Sequence, residues 1–382
     1  AMAYFDNNST TCPSLEVTKA VTHALDESWA NPSSPHRLGA RVRAKIEKIR
    51  DEMARSLGVS AKQLTFNSGS TESNNTILSW VARNLSSKSS NILISQVEHP
   101  SVLESSNYYF PGKVHLIPVD RNGVIELSGF QKLLDQYQPV LVCLLAAHNE
   151  TGVIQPWQEV AQICKQRDIW FHCDATQWLG KMSLDGLHHC ESFSFSAHKF
   201  GGPKGVGALV SSSQVHLIQG GGQEKESRGG TENFPGIQGM YTAWERNCIS
   251  TQSRQNHLQW KTNFENSILN DLPGSMIVGN EVPRLWNTSL LCLPDFDNLS
   301  WVSRIDKLGH QVSTGSACST ARDQPSTLAG AIGLDESQSR RLVRVSSYIE
   351  NTEQDWLDLA DSFRLAHQQL LEERGSTDVI SL

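Results

Sequence analysis

Short apolar runs alternate with helical patterns through the middle of this chain, and that alternation leaves few folds open. Asn91-Ile-Leu-Ile-Ser95 is bounded by polar residues and reads as a buried strand. Pro139-Val-Leu-Val-Cys-Leu-Leu-Ala146, Ile169-Trp-Phe-His-Cys173 and Gly207-Ala-Leu-Val210 read the same way. Between them lie helical periods such as Pro156 to Gln166, with Val160, Ile163 and Cys164 inward. Strands that alternate with helices predict an α/β fold, a mostly parallel sheet covered on both faces. Such sheets bind ligands at the carboxyl ends of their strands. His99, Asn149 and Asp174 each follow one of these runs, so the pattern predicts that they share a cleft.

At 382 residues the chain exceeds what one core supports, and two domains are expected. Gly220-Gly-Gly222 and Arg228-Gly-Gly-Thr231 predict a loop that can approach a ligand closely. Tyr241 to Asp271 reads as one long polar-faced helix, and Leu285 to Leu293 as the clearest later strand. These divide the chain into a large domain, 15–260, and a smaller α+β domain built from 1–14 and 261–382. The tail from Arg374 to Leu382 is expected to fray.

Bulk properties exclude several classes. With 38% apolar and 19% charged residues the chain is globular rather than disordered. A net charge of −7 and the lack of any basic block argue against direct nucleic-acid binding. The eight cysteines are scattered and none forms a CxxC pair, so neither a disulfide framework nor a metal module is expected. The longest apolar run, Val140 to Ala147, is too short to span a bilayer. Ala1 to Asp6 carries neither the basic nor the apolar region of a secretory signal, and a cytoplasmic protein is expected.

The chemistry concentrates in a few segments. Phe171-His-Cys-Asp174-Ala-Thr-Gln177 precedes Ser194-Phe-Ser-Ala-His198-Lys199-Phe-Gly-Gly-Pro-Lys-Gly205 by about one βα unit. A lysine beside glycines is often only a solvated loop residue. An acid followed by a lysine before small residues is also what a pyridoxal phosphate site needs: the lysine binds the aldehyde and the acid keeps the ring nitrogen protonated. In Phe66-Asn-Ser-Gly-Ser70-Thr71-Glu-Ser-Asn-Asn, backbone N–H groups and two hydroxyls form either a phosphate cradle or an ordinary N-cap turn. His99 is either a structural histidine or a ring that shuttles protons near neutral pH. Cys318, in Ser313-Thr-Gly-Ser-Ala-Cys318, is either a tolerated small residue or a thiol whose loop lets it travel to a substrate and away. Arg344, within the apolar run Leu342 to Ser346, pairs either with a structural acid or with a substrate carboxylate.

Taken in order, these segments resemble the NifS/IscS-type cysteine desulfurases, pyridoxal phosphate enzymes of fold type I. The likeness adds Tyr4-Phe-Asp-Asn-Asn-Ser-Thr-Thr11, Asn31-Pro-Ser-Ser-Pro-His-Arg-Leu-Gly39, Glu98-His99, His148-Asn-Glu-Thr-Gly152 and Gly221-Gly-Gln-Glu224 with Arg228-Gly-Gly-Thr-Glu-Asn233, and so runs over nearly the whole chain. It implies a large domain with a mostly parallel seven-stranded sheet and a smaller α+β domain. It also implies roles. Lys199 would carry the cofactor as a Schiff base, Asp174 would pair with its ring nitrogen, and Gln177 would meet its phenolate oxygen. His99 would stack on the ring. Ser70, Thr71, Ser196 and His198 would serve the phosphate, and Thr231 would reach the phosphate of a second subunit, giving a homodimer. Asn149 and Arg344 would hold the carboxylate of L-cysteine, and Cys318 would take its sulfur for delivery to an acceptor protein.

Two positions depart from the family pattern. Ser227 and Ile349 stand where many members carry arginines, which leaves the outer pocket and the acceptor open. Iron–sulfur assembly, tRNA thiolation and DNA phosphorothioation are all compatible destinations. Rival readings are a selenocysteine lyase, a pyridoxal phosphate aminotransferase, or a retired homologue acting as a scaffold. A transaminase needs no travelling cysteine, and a scaffold needs none of Lys199, Asp174 and Cys318 together.

Overall fold

The structure, a computed structural model, describes residues 2–85, 90–247, 250–315 and 327–380. Cys248 and Cys318 lie outside the described residues.

Seven strands make the larger sheet: β1 (Leu64–Asn67), β2 (Ile92–Ser95), β3 (Val114–Ile117), β4 (Leu141–Cys143), β5 (Trp170–Asp174), β6 (Ser192–Ser196) and β7 (Gly207–Ser211). Their spatial order is β1-β7-β6-β5-β4-β2-β3. β7 is antiparallel to both its neighbours, β1 and β6, and every other pairing is parallel. Every residue of β2, β4, β5, β6 and β7 is buried; β2, β4, most of β5 and β7 therefore read as apolar runs, whereas β6, Ser-Phe-Ser-Phe-Ser, buries three serines and did not.

Successive side chains leave the sheet on opposite faces, and two separate cores follow. Leu93, Val142, Phe171 and Phe193 face the core shared with α2 (Arg37–Ser56), where Ile46, Ile49 and Met53 pack. Ile92, Ile94, Leu141 and Cys143 face the opposite core, where Ile77, Leu78 and Val81 of α3 (Ser70–Asn84) and Val102 of α4 (Pro100–Tyr109) pack.

A second sheet is formed by β8 (Met276–Ile277), β9 (Thr288–Cys292), β10 (Ser313–Thr314) and β11 (Leu342–Ser346), antiparallel in the order β10-β11-β9-β8. Its core takes Trp301, Trp356, Phe264 and Phe363 from three helices. Ala3 and Phe5 join this core, and Asp6 bridges to Ser346 beside the second sheet. The chain's beginning is therefore carried to the edge of the Arg344 strand.

Three expectations change. Tyr241 to Asp271 is not one helix but the end of Phe234–Arg246 followed by Thr251–Asp271. Asn247 turns its side-chain amide to the carbonyl of Phe200, and Ser250 caps the second helix by accepting from Ser253 N at 3.1 Å. The later strand is shorter than expected because Leu285 N donates to Gly152 O at 2.7 Å before β9 begins. The tail beyond Arg374 is helical rather than irregular, since the last helix runs Glu353–Ile380.

Candidate active site

Five loops leave the carboxyl ends of β1, β2, β4, β5 and β6 and surround one cavity of about 380 Å³. Ser70, Thr71, His99, Asn149, Asp174, Gln177, Ser196, His198, Lys199 and Arg344 all line it. A larger cleft of about 660 Å³ lies near Glu52, Tyr241 and Trp244, but holds none of these groups. Chemistry rather than size therefore selects the smaller cavity.

Lys199 follows β6 through a short 3-10 turn, and its Nζ donates to Asn8 O at 2.6 Å and Ser9 O at 3.0 Å. Asp174 ends β5. One oxygen accepts from Asn74 Nδ2 at 3.1 Å, and the other from Thr176 N at 3.0 Å and the Thr176 hydroxyl.

His99 caps α4, its Nδ1 accepting from Ser101 N at 3.1 Å. Burial, with Lys199 nearby, holds its pKa below the usual histidine value despite Asp174. Gln177 is buried. Its oxygen accepts from Lys181 Nζ at 2.6 Å, and its nitrogen donates to Asn8 O at 3.3 Å. Lys181 is fully buried, and burial, followed by Lys199 and Arg344, pushes its pKa far below the usual lysine value.

Asn149 sits in a turn organised by its neighbour. His148 Nδ1 accepts from Glu150 N at 3.1 Å and Thr151 N at 3.3 Å, and burial pushes this histidine down to about 3, so the acceptor persists. Arg344, on β11, donates from Nη2 to Asp6 Oδ1 at 2.8 Å and Ser9 Oγ at 2.6 Å, and from Nη1 to Asn149 O at 3.2 Å. Its Nε is buried with no partner among the described residues.

The fourth side suits a phosphate. Gly69 precedes α3 at φ +138° and provides no side-chain cap. A Cβ there would lie 3.1 Å from Ser196 Oγ, so a glycine keeps the backbone open. Ser70 N at the helix start donates to Ser196 Oγ at 2.8 Å, and Thr71 stands beside it, so this end of the cavity has the N–H groups and hydroxyls that suit an anion. Ser196 donates to Ser70 Oγ at 3.0 Å, Ser70 and Thr176 hydroxyls lie 2.6 Å apart, and Thr176 donates to Asp174. Hydroxyls thus join the anion end to the carboxylate end. The cavity can take an anion at α3, a protonated ring nitrogen at Asp174, a carbonyl at Lys199 and a carboxylate at Arg344.

One expected residue is elsewhere and one lies outside the described residues. Thr231 is exposed and lines a separate cavity of about 70 Å³ with Asn67 and Arg228. Cys318 lies outside the described residues. Sequence reasoning missed Asn8, Ser9, Ser101 and Thr176, which line the cavity, and Asn74 and Lys181 behind it. Asn8 and Ser9 lay in a segment noted only for its family likeness. Asn74 had a signal in its spacing, three residues after Thr71 on one helix face.

Comparison with known proteins gives the same direction. A family model described as aminotransferase class-V matches residues 3–359. A protein of Dictyoglomus turgidum named cysteine desulfurase IscS is 35% identical over 360 residues, covering 92% of this chain and 91% of that protein. A solved NifS-like protein superposes with TM-score 0.88 at 32% identity, over 96% of this chain and 100% of that one. SspA, solved in complex with cysteine, gives a TM-score of 0.79 at 28% identity, over 91% and 99% respectively.

Proposed function

The chain belongs to the class-V aminotransferase family, and from that premise we propose that it is a cysteine desulfurase, converting L-cysteine to L-alanine and placing the sulfur on Cys318 as a persulfide. The meeting of Lys199, Asp174, His99 and Arg344 in one cavity carries this reading. Pyridoxal phosphate bound there would supply the electron sink that acidifies the substrate Cα and loosens its C–S bond. Asp174 would hold its ring nitrogen, Gln177 its phenolate oxygen, and His99 its ring face. Ser70, Thr71, Ser196 and His198 would hold its phosphate.

Each side chain then has a task. Arg344 and Asn149 orient the substrate carboxylate, with the Arg344 guanidinium supplying charge and N–H donors at the cavity wall. Lys199 Nζ takes the proton from Cα and returns one as product forms. The Cys318 thiolate attacks the substrate sulfur, and an S–S bond forms as the C–S bond breaks. The electron pair of that broken bond stays on carbon, which takes a proton to become the alanine methyl group.

The same reading includes a twofold homodimer in which the partner's Thr231 completes the phosphate site. Its support is that Thr231 does not line the Lys199 cavity of its own chain. Two sheets with separate cores support the division into 15–260 and 1–14 with 261–382. No helix among the described residues is long and apolar enough to cross a membrane. Cys12, Cys143, Cys164, Cys173, Cys190 and Cys292 are free thiols, as a reducing cytosol would keep them.

The decisive experiment incubates the loaded protein with L-cysteine and follows alanine together with peptide masses. Alanine should appear with one added sulfur on the peptide holding Cys318. Cys318→Ser should keep the cofactor and lose the persulfide. Sulfur found on another cysteine would reassign the acceptor, and no alanine at all would overturn the reading.

A further inference from the structure

Behind Asp174 runs a buried chain of polar side chains whose hydrogen bonds have one consistent direction. Trp170 Nε1 donates to Ser192 Oγ at 2.9 Å, and an indole N–H can only donate. Ser192 Oγ lies 2.7 Å from His172 Nδ1, and His172 Nε2 lies 2.8 Å from Asn74 Oδ1. Ser194 Oγ donates to the same Asn74 oxygen at 2.8 Å. Asn74 Nδ2 donates to Asp174 Oδ2 at 3.1 Å and to Ser101 Oγ at 2.9 Å.

Both ends fix the order between them. A carboxylate only accepts, so the nitrogen of Asn74 must face Asp174 and its oxygen must face His172. His172 Nε2 therefore carries the ring proton, and Nδ1 accepts from Ser192. Burial pushes His172 down to about 4, so a neutral ring satisfies both neighbours. The same logic reaches His99, where Ser101 N donates to Nδ1 at 3.1 Å and Ser101 Oγ lies 2.9 Å from that atom. His99 is left with its proton on Nε2.

We propose that Asn74 is a positioning residue, one buried amide that holds Asp174 directly and His99 through Ser101, with its own orientation set by His172. Turning the amide over would press its oxygen against the Asp174 carboxylate and its N–H groups against His172 and Ser194. Asn74, His172 and Ser194 are fully buried, so water does not offer replacement bonds. One amide thereby couples the group at the cofactor's ring nitrogen to the group at its ring face. That consequence rests on the proposed function, whereas the hydrogen-bond order does not.

The test reads the pH midpoint of the visible absorption of protein loaded with pyridoxal phosphate. A loosely held Asp174 stabilises the protonated ring nitrogen less, and a less positive ring makes its nitrogen link to Lys199 more basic. Asn74→Leu should raise the midpoint by about one unit or more. His172→Phe should raise it less, and the double variant should match Asn74→Leu alone, because His172 acts only through Asn74. An unchanged midpoint in Asn74→Leu, or shifts that simply add, would overturn the proposal. Neutron diffraction from the unaltered full chain needs no variant to fold. It should place hydrogen on Nε2 of both His172 and His99, and hydrogen on Nδ1 of either ring would overturn the proposal. A wild-type protein without a Lys199-dependent visible band would instead overturn the functional reading and leave the diffraction result to decide the network.

Discussion

Arg344 Nη2 lies 2.8 Å from Asp6 Oδ1, joining the last strand of the smaller sheet to the chain's beginning. Ser9 Oγ accepts from the same nitrogen, so one side of the guanidinium is held in place. Its Nε has no partner among the described residues. With Nη1 donating to Asn149 O at 3.2 Å, both terminal nitrogens hold the guanidinium in place at the cavity wall, where its charge suits a small carboxylate.

Arg344→Gln removes the charge and the guanidinium fork while keeping a side-chain amide. The expected result is a KM for L-cysteine raised about 10- to 100-fold, the scale of a lost hydrogen bond to a charged group. Alanine production at varied cysteine measures it. An unchanged KM would mean that Arg344 serves only the Asp6 pair.

Lys199→Ala should abolish release of alanine and sulfide and remove the visible band of the loaded protein. Asn8 O and Ser9 O would lose a donor, so a small loss of stability is also expected. A variant that retains the visible band after dialysis against cysteine would refute the assignment.

Lys261 makes a pH-dependent prediction away from the site. It is fully buried and donates to Leu285 O at 2.7 Å and Thr288 O at 3.1 Å, which a neutral amine can do with its two hydrogens. Burial, helped by Arg284, pushes it from 10.5 down to about 7. Between those values the unfolded chain binds more protons than the folded one, so stability rises with pH across the window and is lost as pH falls towards 7. Lys261→Met should lack this rise. The stability difference, wild type minus variant, should grow with pH by at most about 1.4 kcal/mol per unit. Urea unfolding at a series of pH values checks it, and a flat difference would contradict it.

Thr231→Ala should weaken cofactor retention without altering Lys199, by about 1–3 kcal/mol for one hydrogen bond to a charged group. Equilibrium dialysis of pyridoxal phosphate measures the loss. Sedimentation gives the companion result: an active, fully loaded monomer at micromolar protein would exclude the partner's Thr231 from the site.

What was legible in the sequence depended on local pattern. Strands buried on both faces are mostly apolar, so several runs and their ends could be read, and His99, Asn149 and Asp174 could be placed at one edge of a sheet; β6, with three buried serines, gave no such run before Lys199. Arg344 was legible because a charge inside an apolar run needs an anion. The order of the strands was not local, nor was the break at Asn247, which depends on the carbonyl of Phe200 reaching it across the fold. Tertiary structure alone brought Asn8 and Ser9 to Lys199 and Arg344, across separations of more than 180 residues. It also set Lys181 against Asn8 and Asn74 against Asp174. Single residues of ordinary type acquire such roles only when packing removes water, because a buried donor must then find the one acceptor its neighbours leave open.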